Sequence, residues 1–215
     1  MSKDEIAIAV LVALVIFLIS FGVIAYIRQL KTNRETQRTL SDRDLLQMVA
    51  NEPDQLLSPH QLRDKTGLSL NEARTRLNSL YTFGVFIRSS NRTGRHFFSL
   101  KDPLQDIPKL ALSADPFLTV EDLLEIFEHY DYRVTPQELL MATGLPMDIL
   151  KREMKYFESE KIVQRLQRMD SAGMVTRKFY VLQDPYRSDP DRFRVQASKI
   201  DLEMREILMN DNLIV

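Results

Sequence analysis

The first apolar stretch of the chain covers residues 6–27, which contain no charged side chain. A helix of this length rises about 1.5 Å per residue and would extend about 33 Å, enough to cross the hydrocarbon core of a bilayer. We therefore predict a transmembrane anchor over residues 1–28. A cleaved signal peptide is the alternative, but it needs a basic leader and small residues at a cleavage site. The leader here is mixed to acidic, and the sequence around Tyr26 is a poor cleavage site.

The charges on either side of this stretch predict its direction. Four basic residues follow it and only Lys3 precedes it. The positive-inside rule then places the N-terminus outside and the rest of the chain at the cytoplasmic face of the cell membrane. Residues 29–40 are polar without an apolar period, and we interpret them as a juxtamembrane linker, either a tether or a frayed helix extension. The basic residues are Arg28, Lys31, Arg34 and Arg38.

Beyond the linker the pattern of apolar and polar positions repeats. Residues 57–68 align with residues 134–145 at an offset of 77, and two aromatic, strand-like runs end in Asp102-Pro103 and Asp184-Pro185 at an offset of 82. A shared order of elements with one insertion indicates a duplicated domain. We predict one copy over residues 41–103, an inter-domain linker over 104–118 and a second copy over 119–185.

Each copy contains signals for three helices and a hairpin. Ser41 and Thr119 are N-caps, and Ser58 and Thr135 begin capping boxes that carry proline at the first helical position. Ser69 begins a third helix, and β-rich stretches follow at residues 85–89 and 95–100 and at 162–166 and 175–182. The apolar positions expected in the core are Leu45, Leu46, Met48, Val49, Ala73, Leu77 and Leu80 in the first copy and Leu123, Leu124, Ile126, Phe127, Leu150, Met154 and Phe157 in the second.

Composition and charge narrow the chemistry. The chain has no cysteine, so disulfides, zinc–thiolate sites and cysteine nucleophiles are excluded. It also lacks a glycine-rich phosphate-binding string, and its three histidines have no ligand-spaced partner. We expect no enzyme, no cofactor, no metal and no small-molecule substrate. Residues 28–110 hold 14 basic against 9 acidic side chains, whereas residues 111–215 hold 14 against 19.

The order helix, short helix, turn, helix and hairpin resembles the winged helix-turn-helix superfamily. The run from Thr66-Gly67-Leu68-Ser69 to Leu80 is similar to the core of bacterial regulators of the MarR and ArsR type. The second copy departs from the pattern with Pro146 at the cap position and Lys161 before the wing. The tandem layout is similar to that of segregation and condensation protein B. This resemblance implies a mainly α fold with small β-hairpin wings (α+β), with two such domains between the anchor and a C-terminal amphipathic helix.

The resemblance also implies where nucleic acid would bind. In that superfamily the third helix enters the major groove and the wing reaches the backbone or the minor groove. By position, we expect a DNA-binding regulator of transcription at the membrane, with the first copy as the better candidate reader. The alternative is a protein-interaction adaptor or a structural subunit of a membrane complex that binds no DNA. The candidate DNA-binding residues are Asn71, Arg74, Thr75, Asn78, Arg88, Arg92 and Arg95 in the first copy and Lys151, Arg152, Lys155 and Arg177 in the second.

A last amphipathic helix is predicted over residues 189–213, with Asp189 as its cap and Pro190 as its first residue. Its apolar positions alternate in spacings of four and three, the rhythm of a coiled coil. Either this helix packs on its own winged-helix domains or it forms a homodimer. The residues that would mediate dimerisation are Phe193, Ala197, Ile200, Met204 and Ile207.

Overall fold

The computed structural model describes residues 40–104, 110–113, 115–169, 171 and 175–190. The predicted anchor, the linker up to residue 39 and the predicted dimerisation residues Phe193, Ala197, Ile200, Met204 and Ile207 lie outside this set. Of the helices that are described, none has the length and apolar character needed to cross a membrane. The described residues form an α+β structure of six helices and five strands, arranged as two winged-helix-like units.

The first unit contains three helices and a hairpin. Its helices are α1 (Asp42–Ala50), α2 (Pro59–Thr66) and α3 (Leu70–Phe83), and its strands are β1 (Phe86–Ser90) and β2 (His96–Leu100). The side chains of Ser41, Ser58 and Ser69 cap the three helices, which confirms the predicted starts. α2 ends at Gly67 in the left-handed conformation (φ 74°), so the chain can turn at once into α3.

The second unit repeats this order with one additional strand. Its elements are α4 (Val120–His129), β3 (Arg133–Val134), α5 (Pro136–Thr143), α6 (Met147–Ser159), β4 (Val163–Met169) and β5 (Val175–Leu182). Thr119 and Thr135 cap α4 and α5 through capping boxes, whereas Pro146 gives α6 no side-chain cap. β5 has the predicted bounds. The expected end of β4 at residue 166 is wrong, because the strand pairs with β5 as far as Met169.

Strand pairing follows the sequence repeat. β1 pairs antiparallel with β2, and the second sheet has the order β3-β5-β4. The isolated bridge between Leu57 and Phe98 corresponds to the pair Val134–Tyr180 of β3 and β5. These pairs are related by the offsets of 77 and 82 residues in the sequence. The extra strand β3 was not predicted, because two residues are too short to show alternation.

One hydrophobic cluster contains buried side chains from both units. The predicted core positions are buried, except that Met48 is only partly covered at the margin. Because the cluster is shared, the two units pack against each other as well as around their own cores.

Candidate nucleic-acid interface

The third helix of the first unit turns one side toward solvent. Its start is fixed by Ser69, whose hydroxyl accepts a hydrogen bond from the Glu72 N–H (3.3 Å) while the Glu72 carboxylate accepts one from the Ser69 N–H (2.7 Å). The side chain and the N–H of Ser69 both lower the pKa of the Glu72 carboxyl by hydrogen bonding to it, because these bonds stabilise its charged form. Asn71 and Arg74 are exposed, and Thr75 and Asn78 are partly exposed. The four predicted helix positions therefore lie on the accessible side of α3.

The opposite side of α3 holds an arginine that the sequence did not distinguish from these. Arg76 is 2% exposed, and its Nη2 atom lies 2.8 Å from an Asp42 carboxylate oxygen. The same atom donates a hydrogen bond to the Leu40 carbonyl (2.8 Å). Burial lowers the pKa of the Arg76 guanidinium, and Asp42 opposes that shift. Arg76 is thus a structural residue, which its position three residues after Ala73 and four before Leu80, both buried, could have suggested.

The wing of the first unit carries three exposed arginines. Arg88 stands on β1 with its guanidinium 4.7 Å from the centre of the Tyr81 ring, so it is held beside the C-terminal half of α3. Arg92 and Arg95 lie in and next to the connection between the two strands and are exposed. Arg88 and Arg95 therefore lie next to the exposed side of α3, and Arg92 is exposed at the tip of the wing.

The tip of this wing is ordered by one side chain. The Asn91 carboxamide oxygen accepts hydrogen bonds from the Thr93 N–H (3.0 Å), the Thr93 hydroxyl (2.7 Å) and the Arg95 N–H (2.9 Å). Gly94 completes the turn with a left-handed φ of 74°, which favours glycine. Because the turn is internally bonded, the neighbouring arginines are presented from a fixed backbone.

A cleft separates the helices from the wing. It encloses about 590 Å³ between α2, α3 and β2. The carboxamide oxygen of Asn78 is enclosed here and has no hydrogen-bond partner in the described part of the chain. His60 and His96, which the sequence did not single out, also line the cleft. Its charged and imidazole side chains are His60, Arg63, Asp64, Arg74, Arg95 and His96, and Asn78 also lines it.

Carboxylates of the described residues do not pair with the exposed arginines of α3 and the wing. Across the described ranges, none of Arg74, Arg88, Arg92 and Arg95 forms an ion pair with a carboxylate. Arg63, by contrast, pairs with Asp64 at 2.7 Å. The face between α3 and the wing therefore carries positive charge that an external anion can meet.

The second unit presents its predicted residues differently. Lys151 and Lys155 are exposed on α6, while Arg152 is partly buried and lies 3.7 Å from the buried Glu153 carboxylate. Arg177 does not extend from an open wing, since its Nη2 atom lies 3.1 Å from Asp102 of the first unit. The structure thus divides these four residues between the surface of α6 and the junction of the two units.

The turn between α5 and α6 is in contact with the first unit. The Met147 N–H, at the start of α6, donates a hydrogen bond to the Asp42 carboxylate (2.8 Å). Arg43 donates to the Met141 carbonyl at the end of α5 (2.8 Å). A Cβ atom at Gly144 would come within 2.8 Å of the Arg43 guanidinium, so this turn fits closely against α1. Helix-turn-helix proteins contact base edges with the N-terminal residues of their recognition helix. In the second unit these residues meet α1 instead.

No group of three or more metal-ligating side chains occurs in the ranges that the structure covers. No protein-family model matches the chain, and no curated protein matches it.

Proposed function

We propose that this protein is a membrane-anchored, DNA-binding regulator of transcription that acts at the cytoplasmic face of the cell membrane, with its first winged-helix unit as the reader. The observation that carries the proposal is a set of four arginines on α3 and the first wing that form no ion pair with a carboxylate among the described residues. They are Arg74, Arg88, Arg92 and Arg95. Arginines that are buried or paired with carboxylates usually have a structural role, whereas exposed and unpaired arginines can bind the phosphates of a polyanion.

In this proposal α3 contacts the bases and the wing contacts the phosphate backbone. Arg74 and Asn71 stand in the first half of α3, where side chains can reach base edges in the major groove. Arginine pairs with guanine and asparagine with adenine through two hydrogen bonds, each such pair contributing about 1–3 kcal/mol of discrimination. Arg92 and Arg95 follow the rigid turn around Asn91 and suit contacts with backbone phosphates.

The second unit supports the first in this proposal. Asp42 accepts a hydrogen bond from the first N–H of α6, so the N-terminus of that helix cannot enter a major groove while the contact persists. This arrangement suits a protein with one reading helix per chain. The predicted anchor over residues 1–28 would confine the reader to a thin layer at the membrane and raise its effective concentration for neighbours there.

Fluorescence anisotropy of the purified full chain with random duplex DNA tests the proposal, at salt concentrations between about 50 and 200 mM. We expect affinity that falls steeply with salt and is lost in the variant Arg74→Ala/Arg92→Ala/Arg95→Ala. The control is Arg133→Ala/Arg187→Ala, which removes two exposed arginines of the second unit. An unchanged affinity in the first variant, or no binding at low salt by a folded protein, would rule the proposal out.

An adaptor or structural subunit of a membrane complex is the second candidate, favoured by a different observation. The helix-turn-helix of the second unit already contacts protein through Asp42 and Arg43. The acidic excess of residues 111–215 also disfavours a polyanion. In the same experiment the adaptor gives no DNA binding, and membrane proteins co-purify with the full chain without nucleic acid.

A further inference from the structure

The surface where the two units meet gathers positive charge from both of them. Lys178 of β5 donates a hydrogen bond to the Thr82 carbonyl in the last turn of α3 (2.8 Å). Its aliphatic stem lies against Gly84, where an added Cβ would be 3.3 Å from the Lys178 Cδ atom. Neither unit alone could form this contact, since Thr82 belongs to the first and Lys178 to the second.

Further cations lie on the backbone next to this lysine. The Lys101 N–H donates a hydrogen bond to the carbonyl of Val85, which follows Gly84 (3.1 Å), and Arg165 on β4 is paired with Tyr180, two residues after Lys178 on β5. Burial lowers the pKa of Lys178, and the charges of Arg165 on β4, Lys101 at the end of the first unit and Lys151 on α6 lower it further. Burial also lowers the pKa of Lys101; the charge of Asp102 opposes this shift, and the charge of Arg177 adds to it. We call these residues the junction cluster, which consists of Lys101, Lys151, Arg165, Arg177 and Lys178.

Carboxylates neutralise only part of the junction cluster. Arg177 lies 3.1 Å from Asp102, and Arg165 lies 3.9 Å from Glu158. Within the part of the chain that the structure describes, Lys101, Lys151 and Lys178 form no ion pair with a carboxylate. Five cations against two carboxylates leave an excess of positive charge at the junction. Like charges held close together repel one another, and an external polyanion would relieve this repulsion.

The cluster continues the accessible side of α3. Arg74, Asn78 and Thr82 follow one another at helical spacings of four residues, Tyr81 lies three residues after Asn78, and Tyr81 and Thr82 are exposed. The row ends at the carbonyl that Lys178 binds. A polymer that lies along α3 therefore arrives at the junction when it passes the C-terminal end of the helix.

We infer that the junction cluster is a second phosphate-binding site of the DNA interface, which extends the path of the duplex from α3 and the first wing onto the second unit. This inference rests on the proposed function and deepens it. It gives Lys151 and Arg165 a role as backbone contacts of a composite surface, rather than as parts of an independent second reader. Such contacts add affinity without adding sequence preference.

The test is the salt dependence of duplex binding by the full chain, measured by anisotropy. The variant Lys151→Gln/Arg165→Gln removes two exposed cations of the cluster and leaves Lys178 bound to Thr82. Each lost phosphate contact should lower the slope of log affinity against log salt by about 0.9, so we expect a reduction of about 1.8 and at least roughly tenfold weaker binding near 100 mM salt.

The matched control is Arg133→Gln/Arg187→Gln, which changes the net charge equally. Arg133 belongs to β3, at the opposite edge of the sheet from β4, and both residues are exposed. The control should keep the wild-type slope. If the wild-type chain binds duplex and both double variants show its slope, the inference fails while the proposed function survives. If the folded wild-type chain does not bind duplex, both fail.

Discussion

Glu153 is a carboxylic acid in the interior of the second unit, with only 1% of its surface exposed. One carboxylate oxygen accepts a hydrogen bond from the Leu118 N–H (2.7 Å), and the other has no hydrogen-bond partner in the described structure. Burial raises the pKa of Glu153 to about 7, although the Leu118 bond and Arg152 oppose the shift. The folded protein therefore favours the protonated acid, which carries no charge into the core.

This residue makes stability depend on pH in a definite direction. Its pKa is about 7 in the folded chain, against 4.5 for an unperturbed glutamate. Between these values the folded state binds more protons, so the free energy of unfolding falls as pH rises from about 4.5 to 7 and then levels off. Glu153→Gln stays neutral and keeps an acceptor for Leu118. We expect its advantage over wild type to be about 1–3 kcal/mol larger at pH 8 than at pH 5.

Urea unfolding of the full chain, followed by circular dichroism at the two pH values, measures this difference. Glu128→Gln, an exposed change on α4, is the control and should show no such dependence. An equal effect of Glu153→Gln at both pH values would mean that the carboxyl titrates normally in the folded protein.

At the scale of elements, side-chain caps define five of the six described helices, and α6 is the exception. Pro146 cannot supply the acceptor that serine and threonine give elsewhere, so the first N–H of α6 depends on Asp42 of α1. Asp42 also pairs with Arg76 of α3, both side chains being buried. One carboxylate thus joins the starts of α1 and α6 to the middle of α3.

Asp42→Ala should therefore destabilise the chain by about 3–5 kcal/mol, because it leaves Arg76 buried without its partner and Met147 without an acceptor. Asp44→Ala, in the same helical turn but exposed, should cost about 1 kcal/mol or less. Adding Arg76→Met to Asp42→Ala should recover part of the loss, since the uncompensated charge is removed. Urea unfolding measures the free energy of unfolding of all three variants. Similar decreases for Asp42→Ala and Asp44→Ala would contradict this account.

Local signals explain what the sequence could predict. Caps such as Ser58 and Thr135 act within three residues, and the burial of Leu45 or Phe127 follows from helical spacing. The helices and the core could therefore be predicted from the sequence. The side of α3 that carries Arg74 followed from the same spacing. The pairing of Arg177 with Asp102 could not be predicted, because it depends on how two units pack. The same holds for Asp42 and Met147, which are 105 positions apart.

At the scale of the whole molecule, the two units behave as parts of one structure. Their buried side chains belong to a single hydrophobic cluster. Polar contacts join them at separate points, including Arg43 to Met141 and Lys178 to Thr82. Interfaces between independent domains are usually more polar and less continuous than this.

We therefore expect α3 and α5 to lose protection together. Hydrogen exchange followed by mass spectrometry, in increasing urea, should give the same free energy of unfolding for peptides from both helices. Arg43→Ala/Lys178→Met removes two junction contacts and should separate the values. Two different values in the wild-type chain would show instead that each unit unfolds alone.

The contacts of Leu40 with Arg76 also bear on how the protein would respond to mechanical force. The Leu40 carbonyl is bonded to Arg76, and Arg76 holds Asp42, the residue that fixes α6. If residues 6–27 are embedded in a bilayer, the 12 residues from 28 to 39 can stretch to about 40 Å at most. Once this segment is fully extended, further force would act first on the Arg76–Asp42 ion pair. If the protein binds DNA as proposed, force on that DNA would act on the contacts that join the two units before it disturbs either hydrophobic core.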